Sequence, residues 1–488
     1  MSETSQAQTS TVKFWPIMIA IFCGAFLTVL STSTINVAVP VLIEHFHSDL
    51  STMQWALTGF LLATGTTAPI CGYLGERFSY KRLYLGSLIG FTLFSLLCAV
   101  AWNDWSLVAF RTMQGAFNGL VMPATMTIIF QVVPKEKQPL ALSLWSLSSM
   151  LGPAIGPTLA GWLMNFSWHW IFLLNVPIGL LSIILTQRLI PYYRLNVPKS
   201  FDLPGLLTCI AGSLSLLIAF SKGNAWGWGS LTTVSLLVFG VLMLALFLWR
   251  EFKIDVPLLY VRVFENKRYN ISLIILCIIT LTLYSGTYLT PLFLQNVLLA
   301  SPLDTGLILL PGSLVMALMM PLVGRLYSKT GPMPLMITGI VLIAIGTWQM
   351  AQLTPDTTRS YVVWWMVVRN LGISLSFMPS QTAAMEEIPR NVSGHASSIT
   401  NWLRNMTGSF AIAMFTSMLG ARETVHTADL TAQHAGTAKQ IAIHSFTLSM
   451  NDVYLLATFI ALIGIPACFW VRKKRIGANT TPTHTVKA

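Results

Sequence analysis

Apolar runs of about 20 residues recur between residues 14 and 471, and they constrain the fold of this chain more than any other feature. As an α-helix, such a run crosses roughly 30 Å of hydrocarbon, and inside a bilayer only helices and closed barrels satisfy every backbone polar group. Of the 488 residues, 54% are hydrophobic and only 9% are charged. The sequence therefore predicts an all-α polytopic membrane protein with fourteen transmembrane helices.

The first apolar run, residues 14–39, follows a short polar tail that contains a single lysine. It is too long for the core of a signal peptide and has no clear small-residue cleavage site, so we expect it to remain as helix 1. All six cysteines fall inside apolar runs or at their ends. This placement is typical of small buried hydrophobic side chains and predicts neither a disulfide nor a metal site.

The formal net charge of +12 raises the question of an acidic partner, which the distribution of the basic residues answers. With the amino terminus in the cytoplasm and sides alternating at each span, 22 of the 29 lysines and arginines fall on the cytoplasmic side. Four fall outside and three lie within spans. This positive-inside bias requires no nucleic acid, and it predicts a plasma-membrane protein with both termini in the cytoplasm.

Three sequence features occur twice at a nearly constant separation. The pairs are the loops GYLGERFSYKR (72–82) and GRLYSKTGP (324–332), the loops VPKEKQPLA (133–141) and IPRNVSGHA (388–396), and the glycines Gly115 and Gly372. The matched residues lie 252, 255 and 257 positions apart. This agreement indicates that a six-helix unit is duplicated. The separation between the two copies is longer than six helices need, by about one helical hairpin.

The duplication predicts two parallel six-helix bundles around a central cavity, related by an axis along the membrane normal, which is a transporter design. We therefore expect an arrangement of six, two and six helices. The segments are a cytoplasmic tail (1–13), an N-terminal six-helix bundle (14–190), a two-helix linker hairpin (203–250), a C-terminal six-helix bundle (270–471) with a long extracellular loop (420–451), and a cytoplasmic tail (472–488).

Four motifs resemble the signature set of the major facilitator superfamily. They are GYLGERFSYKR between helices 2 and 3, RTMQG (111–115) in helix 4, GPAIGPTLAGW (152–162) in helix 5 and WHWIFLLNVPIG (168–179) at the start of helix 6. With fourteen spans and a long outer loop before the last helix, the chain is similar to EmrB/QacA-type drug:proton antiporters. The resemblance implies the major facilitator fold with fourteen helices, multidrug efflux by alternating access, protons as the coupling ion, and no cofactor.

In the loop between helices 2 and 3, the resemblance assigns a gating role to Gly72, Glu76 and Arg77. The Glu76 carboxylate can face the amino-terminal end of a neighbouring helix while the basic residues bind acidic groups or lipid phosphates, which would stabilise one conformer. Relatives usually carry aspartate and glycine where this chain has Glu76 and Ser79. The alternative is a basic inside loop without a gating role.

Helix 5 carries glycines four residues apart, Gly152 and Gly156, each followed by a proline, Pro153 and Pro157. Small residues at this spacing let a neighbouring backbone approach closely, and the prolines loosen the helix for bending. The resemblance assigns this segment to the gating motif of antiporters. A purely structural role in tight packing is the alternative.

A polar stripe is predicted on helix 4 in the middle of a span, because residues three or four apart share a helix face. Its members are Arg111, Gln114, Asn118 and Met122. At this depth a guanidinium costs roughly 3 kcal/mol unless it faces a wet cavity or a partner, which favours a functional role for Arg111. The alternative is a structural arginine that bonds backbone carbonyls.

A similar stripe on helix 13 includes Asn401 and Arg404, and Arg369 lies in helix 12. Relatives commonly place an aspartate in helix 1 five residues before the position of Asn36, but here that position is Ser31. All 17 acidic residues can be assigned to loops or span ends. A lipophilic cation would therefore find no buried counter-ion, and neutral or anionic amphipaths become credible substrates.

Proton coupling would then have to involve Arg111 and a titratable group at the rim of the membrane. The candidates at the outer end of helix 1 are Glu44 and Asp49, which lie next to His45 and His47. A carboxylate or an imidazole there would titrate near neutrality if it were partly desolvated. The alternative is that all four are solvated loop residues.

A promiscuous binding site needs wide, soft, apolar walls with a few polar anchors. The candidate substrate-binding residues are Ser31, Asn36, Gln54, Trp55, Gln114, Asn118, Met122, Trp145, Tyr284, Tyr288, Met378, Asn401, Trp402 and Arg404. Packing in the core or against lipid is the alternative for each aromatic and methionine side chain.

The sequence thus predicts a multidrug exporter of amphipathic compounds that works by proton-coupled antiport among membrane lipids. The alternative is an exporter of a neutral or anionic lipid or metabolite with unusual or no proton coupling. An enzyme is not expected, since no metal-ligand cluster, nucleophile elbow or phosphate-binding glycine loop is recognisable. A receptor is not expected either, because no signalling domain is recognisable, and auxiliary export partners stay open.

Overall fold

The computed structural model describes residues 14–48, 50–194, 202–254, 257–433 and 437–471. Throughout these ranges the regular structure is helical. Twelve of the described helices are long and apolar enough to cross a membrane. The predicted all-α polytopic membrane fold is therefore confirmed, whereas the two predicted tails, 1–13 and 472–488, lie outside the described residues.

The first helices of the chain form one packed set, which we name the N group. Its members are α1 (Phe14–Phe46), α2 (Leu50–Thr67), α3 (Cys71–Phe78), α4 (Tyr80–Ala99), α5 (Asp104–Val132), α6 (Gln138–Met164), α7 (His169–Leu173) and α8 (Asn175–Leu189). A short 3₁₀ turn at Ala68–Ile70 joins α2 to α3. At its start, α5 is held by a capping box, in which the Asn103 side chain accepts from the backbone N–H of Ser106.

Two helices follow as a hairpin, and the remaining ones form a second packed set, the C group. The hairpin consists of α9 (Leu203–Trp226) and α10 (Leu231–Glu251). The C group consists of α11 (Lys267–Asn296), α12 (Pro302–Thr330), α13 (Pro332–Met350), α14 (Arg359–Glu386), α15 (Ser393–Ala432) and α16 (Ala438–Cys468). Two long helices, α6 and α15, are not among the twelve candidate spans.

The helices pack in the same pairs in both groups, as expected for a duplicated unit. In the N group α1 contacts α6 and α8, α5 contacts α2 and α4, and α4 contacts α8. In the C group α11 contacts α15 and α16, α14 contacts α12 and α13, and α13 contacts α16. Between the groups, α6 packs on α12 while α15 packs on α3 and α5.

The turn that follows α3 has a positive φ, as does its counterpart in the C group. Ser79 has a φ of +82°, and Gly331, 252 positions later, has a φ of +80°. Residues with a side chain rarely adopt this region, where glycine is at home. The turn that relatives form with glycine is therefore kept here by a buried serine, at a cost in backbone strain.

Replacing this serine is expected to stabilise the protein. We expect Ser79→Gly to raise the free energy of unfolding by about 1 kcal/mol, since glycine removes the clash of a Cβ atom at positive φ. Thermal unfolding of the purified protein in detergent measures the effect. The matched control is Gly331→Ser, which should lower the unfolding midpoint, and a lower midpoint for Ser79→Gly would contradict the interpretation.

The glycines of α6 lie against the backbone of α1. A Cβ atom built on Gly152 would lie 2.9 Å from the carbonyl carbon of Val29, and one built on Gly156 would lie 2.5 Å from Cβ of Ser33. Such distances are shorter than packed carbon atoms tolerate. The predicted close approach of a neighbouring helix is thus present, and the side chains of Pro153 and Pro157 lie outside the described part.

The same helix offers a glycine without close neighbours, which makes a matched test possible. We expect Gly152→Ala to destabilise the protein by about 1–3 kcal/mol through overpacking. In contrast, Gly161→Ala should be neutral or slightly stabilising, because no atom lies within 4 Å of a Cβ atom built there. The measurement is again the thermal unfolding midpoint in detergent, and equal midpoints for the two variants would argue against tight packing of α1 on α6.

The hairpin helix α9 lies between the two groups, in contact with α2 and α15. It runs parallel to α15, because Trp402 Nε1 donates to Ser213 Oγ at 3.0 Å and Asn224 Nδ2 donates to the Ala413 carbonyl, with both partners 189 positions apart. Its contact with α2 is apolar, because the Leu217 side chain packs against Gly65. The hairpin is therefore hydrogen-bonded to the C group along two turns or more.

The segment 420–451 was expected to be a long loop, and this expectation is wrong for most of it. Helix α15 continues to Ala432, and α16 already begins at Ala438. Two side chains of α15, Arg422 and His426, contact Asp452 Oδ2 of α16, the histidine Nε2 at 2.8 Å. These contacts stabilise a helical extension whose polar sequence resembles a loop.

Candidate functional site

The predicted intramembrane arginine of helix 4 lies fully inside the N group. Arg111, on α5, is 0% exposed. Its Nη1 donates to Gln114 Oε1 at 2.7 Å and to Ser31 Oγ of α1 at 3.3 Å. The guanidinium carbon lies 4.2 Å from the ring centroid of Phe60, a cation–π distance. Of the predicted stripe, Arg111 and Gln114 therefore bond each other inside the bundle.

Arg111 has no acidic partner among the residues that the structure describes. It takes part in no ion pair there, and its Nε and Nη2 atoms are buried without a hydrogen-bond partner. A buried cation is normally paired because desolvation is costly. Ser31, where the resemblance leads us to expect an acid, places its hydroxyl beside this guanidinium.

The polar contacts around Ser31 continue across the N group. Asn175, the first residue of α8, donates to Ser31 Oγ at 3.3 Å and to Ser95 Oγ at 3.0 Å. Ser95 in turn donates to the Phe172 carbonyl. Sequence reasoning did not single out Asn175 or Ser95, although Asn175 lies in the quoted motif WHWIFLLNVPIG.

The C group holds an arginine one residue from the position that corresponds to Arg111 in the duplication. Arg369, on α14, lies 258 positions later and is also 0% exposed. It donates to the Leu283 carbonyl at 3.1 Å, to Ser285 Oγ at 3.4 Å and to the Thr282 carbonyl of α11. Arg369 therefore bonds backbone carbonyls, as the alternative for Arg111 supposed. The hydrogen bonds of Arg111 itself go to side chains.

Between the two groups lies a third arginine, Arg404 of α15, whose side chain is partly exposed. Its Nη2 donates to Asn401 Oδ1 at 2.9 Å, and its guanidinium carbon lies 5.7 Å from the ring centroid of Trp145, on α6 of the N group. The Tyr284 ring of α11 packs on α15 one turn further along, where a Cβ atom built on Gly408 would lie 2.6 Å from it. We name these four residues, Arg404, Asn401, Trp145 and Tyr284, the central site.

Further candidate residues form contacts of their own on both groups. Asn118 Nδ2 donates to Thr64 Oγ1 of α2 at 3.3 Å, and its Oδ1 is buried without a partner. Trp55 lies under Lys222 of α9, whose Nζ is 5.0 Å from the ring centroid. The Tyr288 hydroxyl accepts from Thr416 at 2.8 Å. Sequence reasoning missed Lys222, because a lysine in the hairpin gave no sign that it would reach α2.

Other candidates lie in packed positions. Met378 and Trp145 are fully buried, and Met122 packs partly buried against the core. Trp402 is buried against α9, where its indole N–H donates to Ser213. The side chains of Asn36 and Gln54, and all of Asp49, lie outside the described residues.

At the end of the molecule that carries the loop 72–82, the two groups are hydrogen-bonded to each other. Glu76 Oε1 lies 3.1 Å from His395 Nε2, at the amino-terminal turn of α15. A Cβ atom on Gly72 would lie 2.8 Å from His395 Nδ1, so the glycine allows the close approach. Gln131 of α5 donates to Ser393 Oγ at 3.1 Å. Arg77 is exposed, and its carbonyl accepts from Arg194.

The rim residues at the other end of α1 do not form a compact acidic cluster in the described part of the chain. Glu44 is exposed, as is His47. The His45 ring packs instead on Trp168, with centroids 5.2 Å apart, and faces His169 at 6.2 Å. The geometry thus brings an imidazole pair together at this position.

Every described carboxylate lies near a helix end or outside the central layer of the bundle. They are Glu44, Glu76, Asp104, Glu136, Asp202, Glu251, Glu265, Asp304, Asp356, Glu386, Glu387, Glu423, Asp429 and Asp452. No group of three or more metal-ligating side chains is present among the described residues. The polar interior consists of guanidinium, amide and hydroxyl groups.

Two matching helix groups with a polar interior between apolar outer faces define a polytopic membrane transporter. The Major Facilitator Superfamily model matches residues 21–412, and the chain belongs to this family. It is therefore a transporter and not an enzyme.

Relatives of known name support the resemblance to EmrB/QacA-type exporters. The chain is 32% identical over 438 residues to the uncharacterized MFS-type transporter YhcA of Bacillus subtilis (strain 168), covering 90% of this chain and 82% of the relative. It is 28% identical to the lincomycin resistance protein LmrB of the same organism, covering 97% and 99%. It is also 28% identical to the multidrug export protein EmrB of Haemophilus influenzae, covering 96% and 99%.

Solved structures share the fold at low sequence identity. The human organic anion transporter MFSD10 (TETRAN) superimposes with a TM-score of 0.65 at 12% identity, covering 91% of this chain and 99% of that chain. The proton:xylose symporter XylE superimposes with a TM-score of 0.62 at 15% identity, covering 93% and 96%. These likenesses support the major facilitator fold of the described helices.

Proposed function

We propose that this protein exports amphipathic drugs from the cell by alternating access between its two helix groups. The observation that carries the proposal is the central site, in which polar and aromatic side chains of both groups meet around a partly exposed guanidinium. Relatives named as resistance or multidrug export proteins match nearly the whole chain. Wide apolar walls with a few polar anchors suit ligands of varied shape.

The architecture we propose is six, two and six membrane-spanning helices, with α6 and α15 included as spans. Both termini lie in the cytoplasm in this arrangement, as the positive-inside bias suggests. The end of the molecule that carries the Glu76–His395 contact is then cytoplasmic. The hydrogen bonds between the groups that involve described residues cluster toward that end, which supports an outward-facing state.

The gating role of the loop 72–82 follows from this assignment. When the protein turns inward, α3 must leave the amino-terminal end of α15, so that the contact between Glu76 and His395 breaks. The tight α1–α6 packing at Gly152 and Gly156 keeps the N group rigid while the groups move. A contact made in only one state sets how strongly that state is populated.

Proton entry is the proposed energy source. One proton gains roughly 2.3 kcal/mol per 100 mV of membrane potential, which is sufficient for appreciable uphill export. Arg111 is proposed to sense the coupling charge, and the rim residues Glu44 and Asp49 are the proposed proton acceptors at the outer end of α1. The second candidate, an uncoupled exporter of a neutral or anionic compound, is favoured by the lack of an acidic partner for Arg111 among the described residues.

Dye accumulation in cells that express the protein tests the proposal. We expect expressing cells to retain less fluorescein and less Nile red than cells with an empty vector. A protonophore should abolish the difference if export is proton-coupled, whereas an uncoupled carrier should not respond. Equal dye retention with and without expression, for a protein shown to reach the membrane, would contradict drug export.

A further inference from the structure

We propose that the preferred substrates carry an anionic group, which binds to Arg404 in the central site while the apolar body lies on aromatic rings. This inference rests on the proposed export function and adds to it the charge of the substrate. It is carried by the contacts of Arg404, by the charges around it and by the aromatic rings beside it.

The guanidinium of Arg404 has free capacity for a ligand. Its one hydrogen bond among the described residues goes from Nη2 to Asn401 Oδ1 at 2.9 Å. The side chain is partly exposed and faces Trp145 on α6 of the N group, and the Tyr284 ring of α11 packs on α15 at Gly408, one turn away. A guanidinium presents five donors in a planar fork that matches a carboxylate, sulfonate or phosphate oxygen pair. Donors thus remain for an anion at the meeting point of the two groups.

The surrounding charges favour an anion over a cation. Lys222 lies on the flanking helix α9, and the fully buried Arg111 and Arg369 lie inside the two groups. Among the described residues, no ion pair neutralises Lys222, Arg111, Arg369 or Arg404 itself. Most described carboxylates lie near helix ends, and Asp452, in the middle of α16, is paired with Arg422 and His426. In a medium of low dielectric constant, unpaired positive charges attract an anion and repel a cation.

Aromatic rings lie directly beside two of these cations. The Trp145 ring is 5.7 Å from the Arg404 guanidinium carbon, and its indole N–H donates to Thr125 Oγ1 at 2.9 Å, which fixes the ring. The Trp55 ring lies 5.0 Å from Lys222 Nζ. Trp145 is fully buried and holds the Arg404 guanidinium in place, whereas the rings of Trp55 and Tyr284 are partly exposed. A flat apolar body can stack on these exposed rings while its acidic group reaches a cation. The arrangement therefore suits an aromatic amphipath that carries a carboxylate or a sulfonate.

Counterflow in proteoliposomes tests this inference independently of proton coupling. The probes are two xanthene dyes of similar size, the anionic fluorescein and the cationic rhodamine 123. We expect the wild-type protein to exchange fluorescein at least about tenfold faster than rhodamine 123, and Arg404→Gln to lower fluorescein exchange about tenfold, as expected for the loss of a charge-assisted hydrogen bond. Arg404→Glu should reverse the preference between the two dyes.

Controls separate the outcomes. Arg359→Gln removes an exposed arginine of α14 and should leave both rates unchanged. Should Arg404→Gln fold poorly, as judged by its thermal unfolding midpoint, the wild-type preference and that of Arg404→Lys decide the question, because lysine keeps the charge. Faster exchange of rhodamine 123, or unchanged fluorescein exchange in folded Arg404→Gln, would overturn the anionic preference and leave export standing. Exchange of neither dye by folded wild-type protein would overturn both proposals.

Discussion

Arg111→Ala is expected to reduce the initial rate of dye export to less than about a tenth of the wild-type rate. The guanidinium is fully buried and bonds Ser31 and Gln114, so its removal leaves both polar side chains without this partner and opens a void beside Phe60. A large-to-small change in a core destabilises a protein by about 2–5 kcal/mol, which adds to the loss of the charge. Export from proteoliposomes at equal protein content measures the effect.

Two further variants distinguish the charge of Arg111 from its volume. Arg111→Met keeps most of the volume without the charge, and we expect it to fold with an unfolding midpoint close to that of the wild type while export is lost. Arg111→Lys keeps a positive charge and should retain part of the export. Normal export by Arg111→Met would show that Arg111 has only a packing role.

Ser31→Asp is expected to convert the protein toward the export of cations. The serine hydroxyl lies 3.3 Å from Arg111 Nη1, so a carboxylate at this position can form an ion pair with the guanidinium that has no acidic partner among the described residues. The new negative charge favours a bound cation and adds a group that can take up a proton. We expect the ratio of rhodamine 123 to fluorescein export to rise about tenfold, which corresponds to ~1.4 kcal/mol in relative binding.

The matched control for this substitution is Ser31→Asn, which has nearly the same shape as the aspartate and no charge. Its dye ratio should stay near that of the wild type. In proteoliposomes with an imposed pH gradient, only Ser31→Asp should show a stronger response of rhodamine 123 export to the gradient. Identical behaviour of the two variants would mean that charge at position 31 does not influence substrate choice.

Local features and the duplication could be predicted from the sequence. The apolar runs predicted the helices, and the separation of 252 positions between the loops predicted a duplicated unit. Ser79 and Gly331, which are the same distance apart, both have a positive φ. The pattern of small residues in helix 5 predicted a close helix approach, which is found at Gly152 and Gly156. Such features depend on neighbours within a few turns of chain.

Contacts between distant segments could not be predicted from the sequence alone. His395 and Glu76 are 319 positions apart, and Asn175 and Ser31 are 144 apart, so no spacing rule connects them. Lys222 reaches Trp55 only because the hairpin lies between the groups. The helical extension near Arg422 was mistaken for a loop because its stability comes from Asp452 on another helix.

The position of α9 also determines how a compound dissolved in the bilayer can enter. This helix fills the seam between α2 and α15 and is hydrogen-bonded to α15 through Ser213 and Asn224. A lipophilic molecule diffusing sideways in the membrane therefore meets this helix on that flank. On the other seam α6 packs directly on α12. The two flanks of the molecule are thus closed by different means, one by an inserted helix and the other by direct packing of the two groups.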